Sequence, residues 1–217
     1  MTKVKLLIFD LDGVLADTRD LHYKALNLAL KDINECYIIT EDEHKYKYDG
    51  LPTCKKLDML TTEKGLLKDH HQTVWNKKQE YTNTLLNSEI SRDDKLINIF
   101  SILKKEGYLI YCASNSIWNT IKTILLKKDI LQFIDYFISN EEVKKPKPSP
   151  EIYLSCVVRS GLSAQETLIF EDSPVGIKSA ITSGAHVCHI LNPDCLSLDK
   201  IVDNIKIANE KNKLKIV

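Results

Sequence analysis

KLLIFDLDGVLADT, residues 5–18, opens with an apolar run that ends in two carboxylates, Asp10 and Asp12, and then Gly13. A short continuous apolar run bounded by turn residues is typical of a strand that is buried on both faces of a sheet. Because Asp and Gly are ordinary turn residues, this stretch alone is also consistent with a simple turn. The residues at the ends of the other strands decide whether the two carboxylates carry chemistry.

Four further apolar segments alternate with amphipathic helical patterns in the second half of the chain. The segments predicted as strands are YLIYCA (108–113), YFIS (136–139), TLIFE (167–171) and AHVCHI (185–190). Apolar strands that alternate with helices indicate a parallel sheet covered on both faces. The predicted fold class is therefore α/β, with a doubly wound, Rossmann-like parallel-sheet core.

Residues 17–90 have a different pattern, with helical periodicity, many charges and no convincing strand. This stretch separates the first strand from the rest of the sheet. We therefore predict a smaller helical domain over residues 17–90, inserted after the first strand as a cap over the strand ends. Residues 1–16 and 91–217 would form the α/β core.

Composition argues against several classes of partner. The 217 residues include 30 Lys and Arg and 30 Asp and Glu, so the formal net charge is zero and no basic field attracts nucleic acid or anionic lipid. No segment reaches membrane-spanning length, and the six cysteines lack a paired spacing, which favours reduced thiols. We predict a cytoplasmic protein, monomeric or weakly dimeric, that binds neither nucleic acid nor membranes.

Polar side chains come after four of the predicted strands, at the ends where an open parallel sheet binds its ligands. They are Asp10, Asp12, Ser114, Asn115, Lys147, Glu171 and Asp172. Taken alone, Ser114-Asn115 is explained more simply as a helix cap, Lys147 as a solvated loop charge and Glu171-Asp172 as a cap or turn, so the convergence of these residues is the signal. Several carboxylates in one crevice repel one another unless a hard cation neutralises them, and oxygen ligands suit Mg²⁺. We therefore expect Mg²⁺ as the cofactor.

A lysine and a serine beside that metal would suit a phosphoryl group, one as a point charge and the other as a donor. An aspartate that attacks phosphorus, with a second carboxylate two residues later to handle the proton, gives a chemically complete reaction. The convergence of these groups predicts phosphoryl chemistry on a small phosphate ester.

Four motifs in this order resemble those of the haloacid dehalogenase superfamily, in the branch with a helical cap between the first and second motifs: FDLDGVLADT, CASNS, KPSPEIY and FEDSPVGIKSA. The resemblance implies that Asp10 is the nucleophile and forms an aspartyl-phosphate. It implies that Asp12 protonates the leaving oxygen and then deprotonates the attacking water. Ser114 and Lys147 would hold the phosphoryl oxygens, and Lys147 is preferred over Lys145 because it matches the family's Lys-Pro-x-Pro pattern.

The same resemblance implies how the metal is held. Asp10, Asp172 and the backbone carbonyl of Asp12 would bind Mg²⁺, and Glu171 would bind it directly or through water. An aspartate at position 12 also favours phosphate esters as substrates, because the dehalogenases and phosphonate-cleaving members of the superfamily lack it.

The cap is expected to select the substrate. His22 and Lys77 fall where β-phosphoglucomutase has cap or hinge residues that face its substrate, although a packed histidine and a solvated lysine fit these positions equally well. Thr53 falls where the mutase has an arginine that grips the second phosphate, and this departure favours a phosphatase. Asn115, after the second strand, is also predicted to bind substrate.

We therefore predict a Mg²⁺-dependent phosphatase that acts on a small phosphorylated metabolite, with sugar phosphates preferred. A sugar phosphomutase on the same scaffold is the nearest alternative. A non-catalytic phosphoacceptor, such as a response-regulator receiver, also combines aspartates, a hydroxyl residue and a lysine on a parallel sheet. Such domains are shorter and have no insert after the first strand, so this alternative fits less well.

Overall fold

The computed structural model describes residues 2–214. Within this range the strands are β1 (Leu6–Phe9), β2 (Leu109–Ala113), β3 (Tyr136–Ile138), β4 (Thr167–Glu171) and β5 (His186–His189). The α-helices are α1 (Arg19–Lys31), α2 (Glu41–Glu43), α3 (Thr53–Lys64), α4 (His71–Glu89), α5 (Asp94–Lys105), α6 (Trp118–Lys127), α7 (Glu151–Ser160), α8 (Pro174–Thr182) and α9 (Leu198–Leu214). None of these helices combines the length and apolarity that a membrane span requires. Position 1 and residues 215–217 of the predicted core lie outside the described range.

The strands form one parallel sheet in the order β3-β2-β1-β4-β5. β1 lies at the centre, where Leu6 pairs with Leu109 of β2 on one side and with Thr167 of β4 on the other. The order of winding reverses between β1 and β4, and open α/β sheets bind ligands beyond the strand ends at such a point. The residues directly after β1 and β4 therefore lie where a ligand is expected.

Helices cover both faces of this sheet. Alternate residues of a strand point to opposite faces, and Leu6 and Ile8 of β1 share a buried cluster with Ile152 of α7. On the other face, the Phe9 ring packs against Phe100 of α5, with 5.1 Å between ring centroids. The predicted α/β class with a doubly wound parallel sheet is confirmed.

The chain divides into two compact units. The α/β unit contains the residues up to Asp17 and those from Ser91 onward, and the second unit contains Thr18–Ile90. Asp17 thus groups with the α/β unit, whereas the sequence pattern assigned it to the insert. The second unit, named the helical insert, contains no strand in its described residues 18–90 and packs its helices around an apolar core of its own.

Candidate active site

Asp10 comes directly after β1 and is held inside the α/β unit. The residue is only 6% exposed to solvent. Its backbone N–H donates to the Phe170 carbonyl at 2.9 Å, which extends the pairing of β1 with β4 by one residue. The Lys147 ammonium lies 2.9 Å from Asp10 Oδ1. The sheet and a buried cation therefore fix the position of this carboxylate.

The turn after β1 depends on Gly13. Its φ of +86° lies in the left-handed region that favours glycine, and its N–H donates to the Ala16 carbonyl at 2.8 Å. A Cβ at this position would stand 2.0 Å from Oδ2 of Asp172. Gly13 therefore both reverses the backbone and leaves the space that the Asp172 carboxylate occupies.

Lys147 lies in the loop between β3 and α7 and is only 3% exposed. Its Nζ donates to Asp10 Oδ1 at 2.9 Å, to Glu171 Oε1 at 2.6 Å and to the Ala113 carbonyl at 2.9 Å. These contacts use all three donors of an ammonium group. Burial alone would lower the pKa of Lys147, but the carboxylates of Asp10 and Glu171 outweigh burial and raise that pKa above its ordinary value. Lys147 is therefore a fixed positive charge at neutral pH.

Carboxylates crowd the Asp10 side chain. Ligand oxygens of Asp10, Glu171 and Asp172 all lie within 4.8 Å of one another. The pKa of Asp10 lies well above its usual range, mainly because the carboxyl group is buried and because the charge of Glu171 is close. The Lys147 ammonium lowers this pKa, while the charges of Asp172 and Asp12 raise it further. A second positive charge would favour the ionised form of Asp10. Three converging carboxylates are also the donor set that a hard divalent cation prefers, so these residues fit Mg²⁺.

Glu171 ends β4 and is completely buried. Its Oε1 accepts hydrogen bonds from Lys147 Nζ and from the Tyr153 hydroxyl, both at 2.6 Å, and its Oε2 accepts one from the Asp172 backbone N–H at 3.0 Å. A Cβ at Gly176 of α8 would stand 1.9 Å from Oε1. The carboxylate is therefore held by several donors in a space that only glycine leaves open.

Two serine hydroxyls hold the Asp12 carboxylate. Ser114 Oγ donates to Asp12 Oδ2 at 3.0 Å, and Ser116 Oγ donates to the same oxygen at 2.8 Å. The Ser116 backbone N–H donates back to Ser114 Oγ at 2.9 Å, which links the two serines. The structure thus gives Ser114 a contact with Asp12, and its contact with phosphoryl oxygens stays a prediction.

Asn115 contacts the backbone of Lys147. Its Oδ1 accepts a hydrogen bond from the Lys147 N–H at 3.0 Å, and its Nδ2 donates to the Lys147 carbonyl at 3.2 Å. These two bonds connect the end of β2 to the loop after β3 and fix the register of that loop. Asn115 therefore positions Lys147, and its predicted contact with substrate stays a prediction.

The substrate-binding residues predicted in the helical insert lie on three different helices. His22 is on α1, Thr53 begins α3 and Lys77 is on α4. Lys77 Nζ forms an ion pair with Asp32 Oδ2 at 2.7 Å. His22 Nδ1 lies 3.3 Å from Nζ of Lys78, the residue after the predicted one. The substrate roles of His22, Thr53 and Lys77 stay predictions, and the structure places Lys78, a residue that the motifs do not single out, beside His22.

Three other residues of the site were missed, namely Ser116, Tyr153 and Gly176. Each lies inside one of the quoted motifs, CASNS, KPSPEIY or FEDSPVGIKSA. The helical pattern places Tyr153 on a buried face but does not show that its hydroxyl reaches Glu171. The sequence did offer one indication of these residues, because the motifs that resemble the family include uncharged positions as well as the charged ones.

Residues 7–190 match the haloacid dehalogenase-like hydrolase family, a range that contains every residue of the site in the α/β unit. The chain belongs to this family. Membership confirms the resemblance of the four motifs. Together with relatives that are named as phosphatases, it confirms the predicted class of enzyme, a phosphoric monoester hydrolase of the haloacid dehalogenase type.

Relatives of this haloacid dehalogenase-like hydrolase include proteins with two kinds of activity. A phosphorylated carbohydrates phosphatase of Thermotoga maritima is 26% identical over 190 residues, which cover 86% of this chain and 86% of the relative. A β-phosphoglucomutase of Bacillus subtilis is 26% identical over 190 residues, which cover 83% and 80%. The crystal structure of β-phosphoglucomutase from Clostridium difficile has the same fold, with a TM-score of 0.80 at 20% identity over 94% of this chain and 97% of that chain.

Proposed function

We propose that this protein is a Mg²⁺-dependent phosphatase that hydrolyses a small sugar phosphate through an aspartyl-phosphate on Asp10. The observation that carries the proposal is the buried Asp10 carboxylate, with the Lys147 ammonium 2.9 Å from Oδ1 and with two more carboxylates, Glu171 and Asp172, beside it. A nucleophilic carboxylate, a fixed cation and a set of hard ligands are the parts that phosphoryl transfer needs. The relatives named for carbohydrate phosphates support a sugar phosphate as substrate.

Asp10, Asp172 and the backbone carbonyl of Asp12 are the groups that would hold Mg²⁺. When bound, the ion neutralises the crowded carboxylates and withdraws charge from the phosphoryl oxygens. Both oxygens of Glu171 already accept hydrogen bonds from the protein. We therefore expect Glu171 to act on the ion through water while it fixes Lys147.

In the first step, an oxygen of Asp10 attacks phosphorus while the bond from phosphorus to the sugar oxygen breaks. Asp12 gives its proton to that leaving oxygen, and the charge of Lys147 stabilises the negative charge on the transferring group. In the second step, water attacks the phosphorus of the aspartyl-phosphate and Asp12 takes the proton from that water. The bond between Asp10 and phosphorus then breaks, which releases phosphate and restores the carboxylate. The hydroxyls of Ser114 and Ser116 keep Asp12 oriented for both transfers.

Removal of divalent cations is expected to lower turnover by at least about 100-fold, because charge neutralisation by a metal contributes several kcal/mol to such a transition state. Mg²⁺ should restore turnover, whereas Ca²⁺ should restore little, since its larger and looser coordination misplaces the attacking oxygen. The measurement is phosphate release from a panel of sugar monophosphates before and after treatment with a chelator. Undiminished turnover in excess chelator would disprove the metal requirement.

A sugar phosphomutase is the second candidate, because one relative is a β-phosphoglucomutase. A mutase must keep a bisphosphate bound while it reorients, and the forked guanidinium of an arginine is the best grip for the distal phosphate. Among residues 18–90 the only arginine is Arg19, and Thr53 stands where an arginine is expected. The residues of the insert therefore favour a phosphatase over a phosphomutase.

Phosphorus NMR of the reaction separates the two candidates. We expect at least one sugar monophosphate to yield inorganic phosphate, without a bisphosphate primer and without formation of its positional isomer. An isomer that appears faster than free phosphate would replace the phosphatase with a mutase and leave the role of Asp10 unaffected.

A further inference from the structure

A groove with a volume of about 700 Å³ lies beside α7 on the surface of the α/β unit. Its lining includes Tyr136 and Ile138 of β3, the strand at that edge of the sheet, together with residues of α7. The residues to which the proposed function assigns chemistry do not line this groove. It is therefore a separate feature of the α/β unit, named the α7 groove.

α7 presents two different faces. The face toward the sheet carries four buried residues, Ile152, Tyr153, Cys156 and Val157. The opposite face carries five residues at the spacing of a single helical stripe, and all of them line the α7 groove: Glu151, Leu154, Ser155, Val158 and Arg159. Val158 is 79% exposed and Leu154 is 41% exposed. α7 therefore has a second apolar stripe, flanked by charges, that the α/β unit does not cover.

The charges at the two ends of this stripe have capacity for a partner. The Arg159 guanidinium packs on the Tyr136 ring, 4.1 Å from its centroid, and forms no ion pair with any residue of the described range 2–214. The Glu151 carboxylate accepts the backbone N–H groups of Lys144 and Lys145, at 2.7 Å and 2.9 Å, which leaves about half of its acceptor positions open. The stripe thus ends in a cation without a counter-ion and an anion with open acceptor positions.

The stripe is complementary to itself. Ser155 lies midway between Glu151 and Arg159 along the chain. When two copies of α7 pack antiparallel about a two-fold axis at Ser155, Glu151 of each copy lies opposite Arg159 of the other, and Leu154 lies beside Val158 of the other. The small side chain of Ser155 allows the two backbones to approach closely at the axis. A formal net charge of zero also places no long-range repulsion between two copies.

We propose that the α7 groove binds a second copy of this chain, in a symmetric dimer whose two α7 helices are antiparallel. The contact buries Leu154 and Val158 of each copy and forms two ion pairs between Glu151 and Arg159. A small anionic ligand fits less well, because Glu142 and Glu151 both line the groove. The stripe has few large apolar side chains, so the interface is small and we expect a dissociation constant of about 10–100 µM.

Sedimentation velocity of the full-length protein tests the dimer without turnover. The wild type should change from one chain to two between about 5 µM and 500 µM. Val158→Asp places a charge inside the interface and should raise the dissociation constant by at least about 100-fold, which leaves essentially a monomer throughout this range. Leu126→Asp is the matched control, because Leu126 is 53% exposed in the last turn of α6 and does not line the groove. This variant should dimerise like the wild type.

An exchange of charges tests the antiparallel pairing. Arg159→Glu places carboxylates opposite each other and Glu151→Arg places guanidinium groups opposite each other, so each variant alone should be monomeric. An equimolar mixture of the two should recover a dimer with a dissociation constant within about threefold of the wild type, because every pair then joins a carboxylate to a guanidinium. Circular dichroism checks that each variant is folded. If Glu151→Arg does not fold, the wild type and Val158→Asp still decide the matter.

A wild type that stays monomeric up to about 500 µM would overturn the dimer and leave the groove to a small molecule or to a partner of different sequence. A dimer that persists in Val158→Asp, or that is lost in Leu126→Asp, would place the contact elsewhere and overturn the proposal as well. A mixture of Arg159→Glu and Glu151→Arg that stays monomeric although both variants fold would rule out the antiparallel pairing of α7.

Discussion

Asp10→Asn is expected to abolish turnover, with a loss of about 10⁴-fold or more, because an amide cannot form the aspartyl-phosphate. The change is nearly isosteric and retains an oxygen that can accept the hydrogen bond from Lys147. The loss of turnover would therefore reflect the missing nucleophile and not a disturbed structure. Phosphate release at saturating Mg²⁺ measures the effect. Rapid quenching with labelled substrate should trap phosphoprotein in the wild type and none in the variant.

Stability provides the control for this substitution. Asp10 lies among other carboxylates, so its neutral replacement reduces repulsion. In chelator, Asp10→Asn should therefore unfold at a temperature no lower than that of the wild type. Asp20→Asn, at an exposed position in the first turn of α1, should retain full turnover. Substantial turnover or a trapped phosphoprotein in Asp10→Asn would place the nucleophile elsewhere.

Lys147→Ala is expected to lower turnover by at least about 100-fold, the size of effect seen when one charge-stabilising group is removed from an active site. Its ammonium contacts both Asp10 and Glu171, so the variant loses the positive charge beside the nucleophile and the contact that fixes Glu171. Lys145 lies two residues earlier in the same loop and is exposed. Because the Lys145 contact to Glu151 uses the backbone N–H, Lys145→Ala should be nearly silent.

Loss of the buried cation also weakens the fold. Lys147→Ala leaves two buried carboxylates without their partner, which we expect to lower the free energy of unfolding by about 3–5 kcal/mol. Thermal unfolding of each variant, combined with assays well below its midpoint, separates stability from activity. Lys147→Met, which keeps most of the side-chain volume, should lose as much turnover as Lys147→Ala. A larger loss in Lys145→Ala than in Lys147→Ala would show that the loop register is wrong.

Much of the α/β unit could be predicted from local pattern. Each predicted strand lies within one residue or two of its observed bounds, because a continuous apolar run is a direct consequence of burial on both faces. The proximity of the charged candidates in that unit was also predictable, because parallel strands bring their carboxyl ends to one edge of the sheet. Asp10, Lys147, Glu171 and Asp172 accordingly lie together in the structure.

The helical insert was less predictable. Its lysines look alike in sequence. The resemblance to the mutase points to Lys77, which pairs with Asp32, whereas the adjacent Lys78 lies beside His22. A shift of one residue rotates a side chain by about 100° around a helix. Only the packing of α1 against its neighbours decides which lysine is buried.

The α/β class, the family motifs and the polar ends of the strands could be recognised from the sequence, because each depends on residues that are close together in the chain. Tertiary structure alone decided that Tyr153 reaches Glu171, that Gly176 leaves room for that carboxylate, and that Lys78 lies beside His22. These contacts join residues from different elements. They depend on how side chains fill the space between packed helices and strands, which no local periodicity encodes.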